Sequence, residues 1–312
     1  MITALAGGVG AARFLRGLVQ VVEPGEITAV VNTGDDDRFH GLLVCPDLDS
    51  VTYTLAGVQN PATGWGLVNE SFRVMDALDR YGSPTWFRLG DRDLATHLFR
   101  TEQVDAGVPL SLVTARIAAA WGLETLLLPM TDDRVATRIT VTGTDGAERE
   151  LPMQEWFVKE RCEPPVVRVR LDGAATAQPA PGVIEALEAA ETILLCPSNP
   201  VISIGPILAV PGIREVLVRR RDRVVGVSPI IAGRPVKGPA DRLMRPLGID
   251  VSCVGVAREY RDFCSALVID SGDAARAAEV EALGVRAVVA DTLMTDARVA
   301  AALARDTLAA VA

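Results

Sequence analysis

The chain has 312 residues, 49% of them hydrophobic and 4% aromatic, with a formal net charge of −9. That length and apolar share give a chain that buries a large core, which excludes disorder. The acidic balance excludes a surface built for nucleic acid or anionic membrane. No stretch reaches the ~18 apolar residues of a membrane span, and MITALAGGVGAARF at the start lacks the charged head and long apolar run of a signal peptide. A soluble, cytoplasmic protein is expected.

In chain order, ITALAG reads as a short strand buried on both faces, because its apolar run does not alternate. A GGVG turn, a helix over residues 11–22 and a second strand over 27–32 follow. This strand–helix–strand order implies a right-handed parallel unit. Residues 49–55, 69–81, 91–106 and 110–121 read as helices, with Asp91 placed as the N-cap of the third. ITVTGTDGAERELPM, residues 139–153, alternates around an Asp-Gly pair and predicts a hairpin. Further strands are expected at 166–171, 192–196, 224–227, 251–256, 266–269 and 287–290, with helices between them. The pattern predicts one α/β domain over residues 1–312, built on a doubly wound, mostly parallel sheet. Residues 50–160 are expected to form an inserted helical and hairpin cap.

Chemistry is expected at the carboxyl ends of the strands, where open α/β sheets bind ligands. Gly7, Gly8 and Gly10 follow a buried strand and open a helix, which suits a phosphate held by backbone N–H groups and a helix N-terminus. Arg13 stands where a dinucleotide fingerprint needs its third glycine, and the second strand ends in Asn32 rather than a ribose-binding acid. A phosphate cradle is therefore expected, and NAD is disfavoured; Arg13 would add positive charge. Asn32-Thr33-Gly34-Asp35-Asp36-Asp37 places three adjacent acids at the second strand end, which calls for solvent or a cation. Asp47 and Asp49 form a second acidic element, able to chelate a divalent ion, bind hydroxyls or cap a helix. Asp93 and His97, at i,i+4, read as an exposed ion pair on a capped surface helix. Ser198-Asn199 and the segment holding Lys237-Gly238 follow later strands and suit nucleotide binding. With five cysteines, no C-x-x-C pair and two histidines, neither a disulfide framework nor an imidazole zinc site is expected.

GGVGAARF, VVNTGDDD, CPDLDS, LGDRDLATHL, LLPMTDD, PSNPVISIGPIL, VSPIIAGRPVKGPA and ADTLMTD occur in one order from about residue 3 to 296. This ordered set resembles the 2-phospho-L-lactate transferases of deazaflavin coenzyme F-420 biosynthesis. The resemblance implies a Rossmann-like core with added helices, often dimeric. It also implies a magnesium-dependent transfer of a phospho-three-carbon acid (lactate, enolpyruvate or glycerate) from its guanosine diphosphate conjugate. The acceptor is the terminal ribityl hydroxyl of the deazaflavin Fo, and GMP is released. By matching motifs, Asp49 and Arg88 would contact Fo. Asp36, with Asp35, would serve the metal or activate the hydroxyl. Gly7, Gly8, Gly10, Ser198 and Asn199 would hold the nucleotide. Arg88 stands where archaeal members usually carry lysine, which changes the geometry of that contact. A second expectation, from the shared fold and a similar glycine-rich start, is a non-catalytic nucleotide-sugar-binding regulator of the gluconeogenesis-factor type.

Overall fold

A computed structural model describes residues 1–311. β1 (Ile2–Ala6) leads into α1 (Gly8–Leu18) and β2 (Ile27–Val31). The short hairpin of β3 (Asp37–Phe39) and β4 (Leu42–Val44) precedes four helices: α2 (Pro46–Leu55), α3 (Arg73–Asp79), α4 (Asp93–Asp105) and α5 (Leu110–Ala120). After β5 (Leu126–Pro129) come β6 (Ala136–Thr142), β7 (Glu148–Pro152), a π-helical turn and β8 (Val166–Asp172). The second half continues through α6 (Val183–Ala189), β9 (Thr192–Leu195), a π-helical turn at Pro200–Ile204, α7 (Gly205–Ala209) and α8 (Ile213–Arg219). It then runs through β10 (Val224–Val227), the ribbon β11 (Ile230–Ile231) and β12 (Arg234–Pro235), α9 (Ala240–Met244) and α10 (Cys253–Tyr260). It closes with β13 (Ala266–Asp270), α11 (Ala277–Glu281), β14 (Arg286–Ala290) and α12 (Ala297–Ala309).

Seven strands form the central sheet in the order β14-β13-β10-β9-β1-β2-β5, every neighbour parallel. Counted along the chain, the first three strands step outward to one side of β1. The fourth, β9, returns to its other side, and the rest continue away. The topological switch therefore lies between β1 and β9, and the crevice at their carboxyl ends is where such sheets bind ligands. Successive strand residues face opposite layers. Leu5, Val30, Leu195 and Leu267 pack with α6, α8 and α10, while Ala4, Ala29, Leu194 and Val268 pack against α1, α2 and α12. All five cysteines are buried free thiols, and no single helix among the described residues is long and apolar enough to cross a membrane.

The α/β class and most elements agree with the expectation, including the hairpin, whose turn holds Gly146 at φ 80°. Four expectations are corrected. Residues 166–171 are a strand, but β8 pairs antiparallel with β6 in a separate sheet, β7-β6-β8, and not in the parallel one. Residues 251–256 belong largely to α10, because the Ser252 hydroxyl accepts from the Gly255 N–H at 3.1 Å and starts a helix where apolar content alone suggests a strand. Leu126–Pro129, inside the segment expected as cap, is an edge strand of the central sheet beside β2. Asp91 caps α3, accepting from the Arg73 and Val74 N–H groups at 3.0 Å, while Glu70 accepts from Arg92 and Asp93 at the start of α4.

α1 and α12 approach closely at Gly17, where a side-chain carbon would lie 2.3 Å from the Ala300 backbone. Gly17→Ala is expected to push the helices apart and cost about 1–3 kcal/mol of stability. A urea midpoint unchanged from the parent chain would show that the contact yields freely.

Candidate active site

At the switch point, α1 begins on glycine for steric reasons. Gly7 is extended at φ −158° and Gly8 lies at φ 72°, a conformation that favours glycine. A side-chain carbon at Gly7 would stand 2.6 Å from Ser203 Cβ and 3.0 Å from Asp47 Oδ2, and one at Gly10 would meet the Pro197 carbonyl at 2.3 Å. The turn is thus clamped between the loops after β9 and β4. Gly7 has no side chain to cap α1; Asp47 instead accepts from the Gly8 N–H, so the positive end of the helix dipole lies beside the acids. Ser198, buried, accepts from the Gly7 N–H at 3.4 Å. Asn199 has a local task. Its side-chain oxygen accepts from the Val201 and Ile202 N–H groups at 2.9 and 3.4 Å and caps the π-helical turn. Arg13 is half-buried on α1, less than two turns from its start.

Across the turn lie the acids. Asn32 ends β2 fully buried, accepts from the Gly34 N–H at 2.9 Å and donates to Asp47 Oδ2 at 2.9 Å and to the Ile202 carbonyl at 3.2 Å. It folds the Gly34–Asp36 loop back against Asp47 and the loop after β9. Asp35 and Asp36 each present a buried Oδ1 with no hydrogen-bond partner. Burial, then the charges of Asp47 and Asp36, push the Asp35 carboxyl well above its usual range, against the Thr137 and Asn32 side chains. Burial likewise raises Asp36 well above its usual range, opposed by the Cys45 thiol and the Arg100 charge and reinforced by Asp47 and Asp49. Asp47 is pushed up to about 6 by burial, in spite of the Asn32 amide and the Gly8 N–H. Three carboxyls thus share a volume holding too little positive charge for all of them to ionise. A narrow cleft opens beside them, walled by Gly34–Asp37, Thr137 and Arg138, and Met153 and Gln154.

Asp49 has a different environment. Both its oxygens receive the buried Arg100 guanidinium, one of them at 3.2 Å, and His97 Nδ1 lies 3.7 Å away. His97 Nε2 faces Asp93 at 3.4 Å, and Asp93 accepts from the Tyr53 hydroxyl at 2.5 Å. Burial raises the Asp93 carboxyl, but His97 and the Tyr53 hydroxyl more than reverse that and leave it below its usual range. The Asp93–His97 pair is therefore a buried strut between α2 and α4, not the exposed pair expected, because α4 turns this face onto α2. Although Asp49, Asp93 and His97 converge, their charge is already met by Arg100.

The structure thus gathers Gly7, Gly8, Gly10, Ser198, Asp35 and Asp36 at one crevice. Arg88, expected like Asp49 to contact Fo, pairs with Asp76 at 2.9 Å and lies over the Phe72 ring, 4.8 Å from its centroid. Asp49 itself is sequestered by Arg100. Asp47 takes the more direct position, a residue that spacing alone left level with Asp49. They are two apart on one helix, about 200° around its axis, so only one of them faces the glycine turn. Arg100, which holds Asp49, carried no signal local to the sequence, and Asn32 stood in the acidic motif without its contact to Asp47 being legible there.

An open parallel sheet with a glycine-lined helix start and buried acids at its switch point defines a protein of the Rossmann-like α/β class. Residues 2–307 match the family model described as 2-phospho-L-lactate transferase CofD. The chain is 47% identical over 309 residues to a protein named phosphoenolpyruvate transferase from Streptomyces griseus, covering 98% of this chain and 97% of that one. It is 43% identical over 320 residues to one of the same name from Mycolicibacterium smegmatis, covering 97% and 96%. The chain belongs to the 2-phospho-L-lactate transferase (CofD) family and is a transferase of coenzyme F-420 biosynthesis. A solved structure of a Bacillus halodurans protein of the UPF0052 family superposes with a TM-score of 0.61 at 17% identity, covering 97% of this chain and 98% of that one. That likeness concerns the fold alone.

Two measurements probe the acids. The folded Asp47 carboxyl keeps its proton to a higher pH than the unfolded one. The native state therefore binds more protons between the ordinary carboxylate range and about 6, and stability falls as pH rises through that window. Metal-free Asp47→Asn is expected to melt above the parent chain at about pH 8, the advantage vanishing toward about pH 4. A difference independent of pH would show that the carboxyl is not strained. Arg100→Met is expected to cost about 3–5 kcal/mol, because it strands Asp49 as a buried charge. Adding Asp49→Leu should restore part of that loss, and denaturant unfolding of the single and double variants reads both effects.

Proposed function

We propose that the enzyme transfers phosphoenolpyruvate from its guanosine diphosphate conjugate to the terminal ribityl hydroxyl of the deazaflavin Fo, releasing GMP. The choice of enolpyruvate over lactate or glycerate rests on the names of relatives 42–47% identical to this chain. One observation carries the reading. Buried carboxylate oxygens of Asp35 and Asp36 lack any partner and lie beside Asp47, itself against the glycine turn that would hold the diphosphate.

Oxygen donors of this kind suit a hard divalent cation. Asp35 and Asp36, with Asp47, would hold magnesium, which when bound supplies charge neutralisation on the diphosphate. Gly7, Gly8 and Gly10, the start of α1, Ser198 and Arg13 would bind and orient the nucleotide end, and Asn199 would keep the Ser198 loop in shape. The acceptor hydroxyl would approach through the cleft beside Asp36, with Arg88 on the α3 side. Its oxygen forms a bond to the phosphorus bearing the three-carbon acid, and the bond from that phosphorus to the GMP oxygen breaks. Asp36 takes the hydroxyl proton. Of the three acids it borders both the buried cluster and Arg100 of the α2–α4 strut, which puts a carboxylate on the side from which the hydroxyl would come. Asp49 acts through this strut, fixing Arg100 and the wall that Asp36 faces. Positioning and charge supply the rate, since the chemistry needs no covalent intermediate on the protein.

The test is a transfer assay with magnesium, Fo and each guanylylated acid in turn, products read by mass. The enolpyruvyl donor is expected to react fastest, giving a phosphodiester of Fo and GMP. Asp36→Ala should abolish turnover with the melting profile intact. Turnover near the parent rate would remove Asp36 from the chemistry, and no adduct with any donor would remove the transfer reading.

A further inference from the structure

Lys237 lies in the loop between β12 and α9, far in sequence from the glycine turn, yet it reaches that turn. A side-chain carbon at Gly64 would stand 2.7 Å from Lys237 Nζ and 3.8 Å from Val9 Cγ1. The ammonium of this exposed side chain therefore lies against the loop around Gly64, where that loop approaches Val9 of the GGVG turn. Arg13, on the first turns of α1, is close enough that its charge, after burial, lowers the Lys237 pKa. Among the described residues neither cation has a carboxylate within 4.0 Å, although the chain has 40 acids to 31 bases and pairs Arg38, Arg88 and Arg100 with aspartates. Two like charges thus come together beside the turn with no carboxylate partner of their own, while the one acid at the start of α1, Asp47, is engaged by the Gly8 N–H and the Asn32 amide. We propose that Lys237 is a second cationic anchor for the donor's diphosphate, closing with Arg13 and the N-terminus of α1 around it beneath the loop that carries Gly64. This rests on the nucleotide-binding reading above and adds to it a residue and a loop from two distant parts of the chain.

Calorimetric titration with GDP and with GMP, without acceptor, tests the anchor apart from the transfer chemistry. Lys237→Met is expected to bind GDP about 10- to 100-fold more weakly, the range for losing one charge-assisted contact. It should bind GMP with a smaller loss, and Lys237→Arg should recover most of the GDP affinity. The nucleotide-free Met variant should melt at or above the parent temperature, because it removes one of two mutually repelling charges, whereas a structural lysine would lower it. GDP binding by Lys237→Met as tight as that of the parent chain overturns the anchor. A parent chain that binds no GDP overturns the nucleotide reading and the anchor with it. Lys237-dependent GDP binding without transfer to Fo would leave the anchor standing and fail only the acceptor assignment.

Discussion

Charge without a local counter-charge is the constraint around which the rest of the site is arranged. Asp35, Asp36 and Asp47 are buried together, and the only buried guanidinium nearby, Arg100, is already held by both oxygens of Asp49. Neutral groups remain for the three: the Asn32 amide, the Thr137 hydroxyl, the Cys45 thiol and a backbone N–H. Such groups soften the cost of ionisation without removing it. On the opposite side of the glycine turn the imbalance is reversed, with Arg13 and Lys237 unpaired. The proposed function would meet both halves at once, with a cation for the acids and a diphosphate for the bases.

The same reasoning separates groups that act from groups that hold. Asp47 and Asp49 look equivalent in Pro-Asp-Leu-Asp, but α2 sends them to opposite sides. One meets the glycine turn and the other meets α4. Asp49 spends its charge on Arg100 and thereby ties α2 to α4, with the His97–Asp93–Tyr53 chain as the second tie. Breaking that strut would move the wall beside Asp36 without touching a substrate. Loss of activity on changing Asp49 would therefore not by itself identify a substrate contact.

What the sequence disclosed follows from where information is local. β1, the GGVG turn, α1 and β2 lie within 31 residues, and apolar runs buried on both faces announce the strands. Gly7, Gly8, Gly10, Asp35 and Asp36 were legible for that reason. The 251–256 error arose because a short, mostly apolar stretch suits either a strand or a helix, and its one serine hydroxyl decided it. β5 was hidden by its length and by Pro129, at the end of an edge strand where a missing N–H costs little. Assigning 166–171 to the parallel sheet failed because register with β6 depends on a partner some thirty residues away.

The two halves of the site differ in the same way. The donor half is made of strand ends in one parallel sheet, and the sheet's topology fixes them relative to one another wherever the loops wander. The half proposed to face the acceptor is made of side chains from α3, α4 and the β3–β4 hairpin. These pack on a small core of their own around Val44, Met75, Leu89 and Leu94. Its geometry depends on pairings such as Arg88 with Asp76 and Phe39 stacked on Phe87, ring centroids 3.9 Å apart, which no short motif encodes. Local stability follows buried apolar contact, so the sheet-borne half is the firmer of the two. A fold of this kind can keep the half proposed to bind the donor constant while the wall proposed to face the acceptor changes, because the acids proposed to hold the cation are anchored to β2 and α2 and not to α3 and α4.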